Sequence, residues 1–219
     1  MEKPTESHDH ACGCHVSPAF DGMEARYKGV LWIVIAVNAA MFLVEMGAGA
    51  LAGSQALKAD ALDFLGDSAT YGLSLLVIGR SLRVRAGAAL LKAASLMAFA
   101  LFVLAGTAAA LLGGAPPRAE VMGGIGLLAL AANVGSVLLL LRYRNGDANV
   151  RSVWLCSRND AIGNVAVMLA GGAVFLLGAA WPDRLVAAAM AGLFLVSSIS
   201  ILRQALGEMG EARLAAPGR

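Results

Sequence analysis

Charge is scarce in this chain: Asp, Glu, Lys and Arg make up 15% of its 219 residues, while 58% are hydrophobic. A soluble domain carries about 25% charged residues, so the shortage excludes an ordinary water-soluble fold and points to an integral membrane protein. The mean hydropathy of +0.71 agrees. Cysteine is sparse too. Cys12, Cys14 and Cys156 are too few and too badly spaced for a disulfide framework. The formal net charge is only +2, and the basic residues sit beside apolar runs rather than in one stripe, so no nucleic-acid partner is expected. There is no nucleophile–base pair and no water-activating cluster with an open position, which argues against an enzyme. The first apolar run begins only near Gly29, after a tail carrying acids and histidines, unlike a secretory leader with its short basic start. No internal repeat is evident, and no soluble domain is expected after Arg203.

What the chain has in abundance is long hydrophobic runs. Six apolar segments, at 29–51, 56–79, 88–113, 119–141, 150–178 and 183–206, each approach the ~20 residues that a bilayer-spanning helix needs. Turn or polar chemistry separates them: Gly53-Ser54, the basic 80–85 stretch, Gly113 to Pro117, 142–149 and Trp181-Pro182-Asp183. The expectation is an all-α integral membrane protein of six transmembrane helices. Residues 1–27 form a polar tail, 28–206 the membrane domain and 207–219 a short second tail. Most basic residues, from Lys3, Arg26 and Lys28 through Arg80, Arg83, Arg85, Lys92, Arg142, Arg144 and Arg151 to Arg203, fall on the side of the two termini; only Lys58, Arg118 and Arg184 fall on the other. The positive-inside rule then puts both termini in the cytoplasm, and the protein in the cytoplasmic membrane.

The second apolar run carries three carboxylates, Asp60, Asp63 and Asp67. A charge within a bilayer is costly enough that it usually marks function. On a helix, Asp63 and Asp67 stack one turn apart, and Asp60 leads the same face by three. Stacked anions repel unless a cation or protons sit between them. The fifth run repeats the spacing with Cys156 and Asp160. In a six-span fold these two helices run antiparallel, and at 1.5 Å rise per residue both pairs lie roughly 9–17 Å deep in the core. Asp63, Asp67, Cys156 and Asp160 can therefore converge on a divalent metal. Zinc accepts such a tetrahedral mix of oxygen and sulfur, and the thiolate favours zinc or cadmium over magnesium or calcium. Two plainer readings stay open: Cys156 as a small buried hydrophobe, and Asp160 as the ion-pair partner of Arg158 or Arg151.

Other polar residues within the runs are Asn38, Glu45, Asn133, Ser136 and Asn164, expected to hydrogen-bond between helices. Glu45 lies near the outer end of its run and either relays protons or faces water; Glu120 and Asp183 sit at run edges and are expected to be solvated. Gly49-x-x-x-Gly53, Gly163 and Gly171-Gly172 allow close helix approach. In the N-terminal tail, His8, His10, Cys12, Cys14 and His15 either collect a soft or borderline metal or belong to a disordered extension.

Gly53-Ser-x-Ala-Leu-x-Ala-Asp60-Ala-x-Asp63-x-x-x-Asp67 and Arg151-Ser-x-x-Leu-Cys156-x-x-x-Asp160-x-x-Gly163-Asn164 resemble the paired motifs of the cation diffusion facilitators over residues 29–206. The resemblance implies six transmembrane helices with cytoplasmic termini and efflux of divalent transition metals, commonly against protons. It places Asp63, Asp67 and Asp160 on metal-ligand positions and Cys156 where histidine is most frequent. Most members of that family carry a cytoplasmic C-terminal domain that binds metal and assists dimerisation. This chain stops short of one, so a homodimer would rest on membrane helices. The implied cargo is Zn²⁺ or Cd²⁺, with protons as the counter-substrate, the lipid bilayer as surroundings and no organic cofactor. The competing readings are a non-transporting membrane metal sensor and a proton-coupled exporter of organic cations.

Overall fold

The computed structural model describes residues 25–77, 82–113, 115–144 and 148–214. The His/Cys-containing string of the N-terminal tail lies outside them. Six helices account for nearly all of the described chain: α1 (Ala25–Ala52), α2 (Gln55–Val77), α3 (Leu82–Leu111), α4 (Ala119–Leu140), α5 (Ala148–Leu177) and α6 (Trp181–Leu214). A single 3₁₀ turn, Leu141–Tyr143, follows α4, and no strand occurs among the described residues. Only a helix satisfies every backbone group within its own segment, which is why uninterrupted apolar runs in a bilayer take this form. Five of the helices are long and apolar enough to cross a membrane. The exception is α2, whose 23 residues include Lys58, Asp60, Asp63 and Asp67. It is long enough but carries too much charge. The expected run boundaries are close to the observed helices, the largest differences being that α3 starts six residues earlier, at Leu82, and α6 runs on to Leu214.

The helices pair most extensively as α1 with α2, α4 with α5 and α3 with α6. Large apolar side chains such as Leu51, Leu112 and Leu176 point outward, as a lipid solvent allows. The interior holds two larger apolar clusters and a small one of Met41, Phe64 and Ala129. One large cluster joins Leu57 and Leu62 of α2 to Leu96, Met122, Val167, Val174 and Phe194. The other, at the opposite end of the molecule, joins Tyr27, Leu31 and Val34 to Tyr71, Leu140, Tyr143 and Val153. The start of α2 packs with the end of α5, and the end of α2 with its start, so these two helices are antiparallel, as expected.

Two residues turn α1 into α2. Gly53 takes the left-handed conformation, φ +73°, which closes a helix at little steric cost. The Ser54 amide donates back to the Gly49 carbonyl at 3.0 Å. The turn is tight: a Cβ on Gly49 would lie 3.0 Å from that of Leu57. Ser54 then caps α2, its Oγ accepting the Leu57 amide at 3.0 Å. The remaining free donors at this helix end are taken by a residue from far along the chain. Asp183, in the first turn of α6, accepts the Ser54 hydroxyl at 2.6 Å, the Gln55 amide at 2.9 Å and the Ala56 amide at 3.0 Å. Asp183 is 1% exposed. The expectation of a solvated edge acid is thus corrected: four unpaired N–H groups and the positive end of the dipole at a helix start draw in a carboxylate.

Candidate metal centre

Between the two larger apolar clusters lies a cavity of about 520 Å³, walled by α2, α3, α5 and α6. Asp63 and Asp67 reach it from α2, and Cys156 and Asp160 from α5, so all four residues expected to converge share one space. Gly66 and Gly163 line it as well, leaving open the turns beside the acids. Asp160 of α5 faces Asp63 and Asp67 of α2 across this space. Among the described residues, however, no three His, Cys, Asp or Glu side chains stand as a ready-made coordinating group. The donors face a shared space, and a cation would have to draw them together. Of the two alternative partners for Asp160, the side chain of Arg151 lies outside the described residues. Arg158 turns away, its guanidinium 5.5 Å from the centre of the Trp154 ring and donating to Asn159 Oδ1 at 3.3 Å.

Asp60 does not join the site. It is 1% exposed and faces Glu45 of α1. Three residues on a helix turn about 300°, which leaves Asp60 roughly 60° off the Asp63 direction, and the packing of α1 on α2 assigns it to that interface. Glu45, expected to relay protons or face water, is wholly buried. The two carboxyl groups meet each other, and neither Glu45 oxygen nor Oδ2 of Asp60 has any other hydrogen-bond partner. The interhelical bonds expected of three other polar residues are also corrected. Ser136 bonds within its own helix, to the Ala132 carbonyl at 3.0 Å, while Oδ1 of Asn38 and both polar atoms of the Asn164 side chain lack partners.

Two residues beside the acids carry signals that the sequence reading does not use. Tyr71, one turn beyond Asp67, donates its hydroxyl to the Asp67 carboxylate and lies 3.4 Å from both Ser157 Oγ and the Val153 carbonyl of α5. It holds one of the cavity acids in place. The i, i+4 spacing from Asp67 was the available signal. Lys92 stands on the cavity wall from α3. The basic-residue pattern puts it on the side of the termini, but ten residues separate it from Leu82 at the start of α3, roughly 15 Å along the helix axis. A lone charge at such depth is itself a functional signal.

A search among curated proteins finds no match to the chain. The family model of the cation efflux transmembrane domain does match, over residues 31–209. That span runs from the first helix to the last and contains every residue of the cavity. Carboxylates held inside a membrane, on two antiparallel helices around a shared space, agree with such a role, and the chain belongs to the cation efflux, or cation diffusion facilitator, family of transporters.

Proposed function

We propose that this efflux transporter carries a divalent transition-metal cation, zinc or cadmium, out of the cytoplasm in exchange for protons, by alternating access across the cytoplasmic membrane. Asp63, Asp67, Cys156 and Asp160 are its ligands. The observation that carries the reading is their convergence, from two helices far apart in sequence, on one cavity. The absence of a preformed coordinating group among the described residues fits a transporter, which must release what it binds; a structural zinc site is closed by four fixed ligands. In this mechanism the metal enters from the cytoplasm, pulls the α2 and α5 donors together, and is freed outward when the helices rock. Ligands must be deprotonated to hold metal, so protons compete for the same atoms and acidification weakens binding. Moving two positive charges outward against a membrane potential costs ~2.3 kcal/mol per charge per 100 mV, and inward proton movement offsets it. The thiol of Cys156 favours the softer ions. A homodimer in this reading rests on the lipid-facing sides of the membrane helices.

The test is zinc and cadmium flux into proteoliposomes with and without an imposed pH gradient, for the native chain and Asp160→Ala. Flux that needs both the gradient and Asp160 is the expected result. Binding without flux would replace the reading with a metal sensor. Gradient-driven flux of organic cations, indifferent to metal and surviving Asp63→Glu, would replace it with an organic-cation exporter.

A further inference from the structure

Lys92 has no place in the ligand set, yet it occupies the same cavity wall. It is half-buried, at mid-membrane depth, and its charge attracts Asp63, Asp67 and a thiolate at Cys156. Arg158 near the site turns to Trp154, so among the described residues that line the cavity Lys92 is the one that carries positive charge. It also lines a second space, about 370 Å³ between α2 and α3, along with the hydroxyl-bearing Thr70 and Ser95. Its side chain therefore stands at the border of two cavities, one acidic and one largely apolar. A lysine suits such a position: a compact ammonium on a flexible four-carbon stem reaches either way.

We propose that Lys92 is a tethered counter-cation, whose ammonium offsets part of the negative charge of Asp63 and Asp67 while the cavity holds no metal and withdraws toward the α2–α3 pocket when metal arrives. The proposal rests on the metal-site reading of the same cavity and deepens it. Three carboxylates together in a low-dielectric interior repel strongly. With the ammonium among them, the empty carrier keeps its shape and crosses the membrane field with less uncompensated charge. Because the ammonium competes with the cargo for the same acids, it also keeps affinity low enough for release. A lysine serving only to fill the cavity wall would have no such effect on affinity.

The experiment uses the full chain and zinc as the probe. Zinc Kd is measured by calorimetry in detergent, and KM and kcat by flux in proteoliposomes, for native protein, Lys92→Gln, Lys92→Arg and Asp160→Ala. Removing one positive charge beside a doubly charged cargo is expected to tighten Kd and lower KM by about tenfold, while kcat falls because release slows. Lys92→Arg keeps the charge and stays within about twofold of native. Lys92→Met, close in length to the lysine stem, repeats the neutral test should the Gln variant fold poorly. Zinc binding that Asp160→Ala abolishes but that the neutral Lys92 variants leave unchanged or weaken overturns the counter-cation alone. No zinc binding by the native chain, or binding that Asp160→Ala leaves intact, overturns the metal-site reading and this inference with it.

Discussion

Helix α2 presents acids to two very different places. Asp63 and Asp67 open into a cavity shared with Asp160, where Tyr71 donates a hydrogen bond and Lys92 supplies a positive charge. Asp60, one turn earlier, is sealed against α1 beside Glu45, and apart from each other three of the four carboxyl oxygens of that pair lack a hydrogen-bond partner. The residue type, the helix and the membrane are the same. What differs is the company each acid keeps: room, donors and a cation in one case, apolar packing in the other. Burying a charge without compensation is costly. Carboxylates meant to exchange a cation therefore need the first environment, while the sealed pair stabilises nothing by its charge. A third setting completes the contrast. Asp183 is as buried as Asp60 but accepts three hydrogen bonds at the start of α2, and its role is to hold α2 in place.

The comparison breaks first, and with the largest effect, at Asp67. Asp67→Asn keeps the shape and the Tyr71 contact but removes a charge the cargo needs, so zinc flux in proteoliposomes should fall at least about a hundredfold while thermal unfolding in detergent hardly moves. A retained rate would mean that the cavity acids are no different from the sealed pair. Next comes Cys156→Ser, which replaces a soft donor with a hard one. The ratio of cadmium to zinc flux should drop about tenfold, and an unchanged ratio would remove the thiol from the ligand set. Asp183→Ala should act on stability rather than on ion choice. It strips a helix start of its acceptor and should cost about 2–3 kcal/mol, judged from the cost of lost caps and unsatisfied buried donors, read as a lowered Tm with the cadmium-to-zinc ratio unchanged. The smallest effect is expected of Glu45→Gln. An amide there still donates to Asp60 across the α1–α2 interface, so flux should stay within about twofold and Tm should hold; a collapse of transport would move Glu45 into the working machinery.

Much of this was legible in the residues. The spans and the breaks between them follow from length and turn chemistry, because a helix in lipid is closed by its own backbone hydrogen bonds and needs no information from elsewhere. The paired spacing of Asp63 with Asp67 and of Cys156 with Asp160 put both pairs at overlapping depth, since axial rise is fixed per residue. That arithmetic needs only the order and direction of the helices, and the cavity agrees with it. Lys92 stands only about one turn into the expected run at 88–113, where a basic residue looks like the end of a loop; the helix start at Leu82 puts it deeper.

The rotation of each helix about its own axis was decided only in three dimensions. No local hydrogen bond sets it; packing against neighbours does. That rotation sends Asp60 to α1 and Asp63 to the cavity, brings Lys92 of α3 to face acids of α2, and lets Tyr71 reach across to α5. The clasp of Asp183 on α2 likewise joins residues 129 positions apart in sequence, a pairing that exists only because α6 ends up beside the start of α2. The sequence by itself determined which segments cross the membrane and at what depth their charges lie, because helical geometry is local; which charges meet, and which stay alone, was decided by the tertiary packing that turns one helix face toward another.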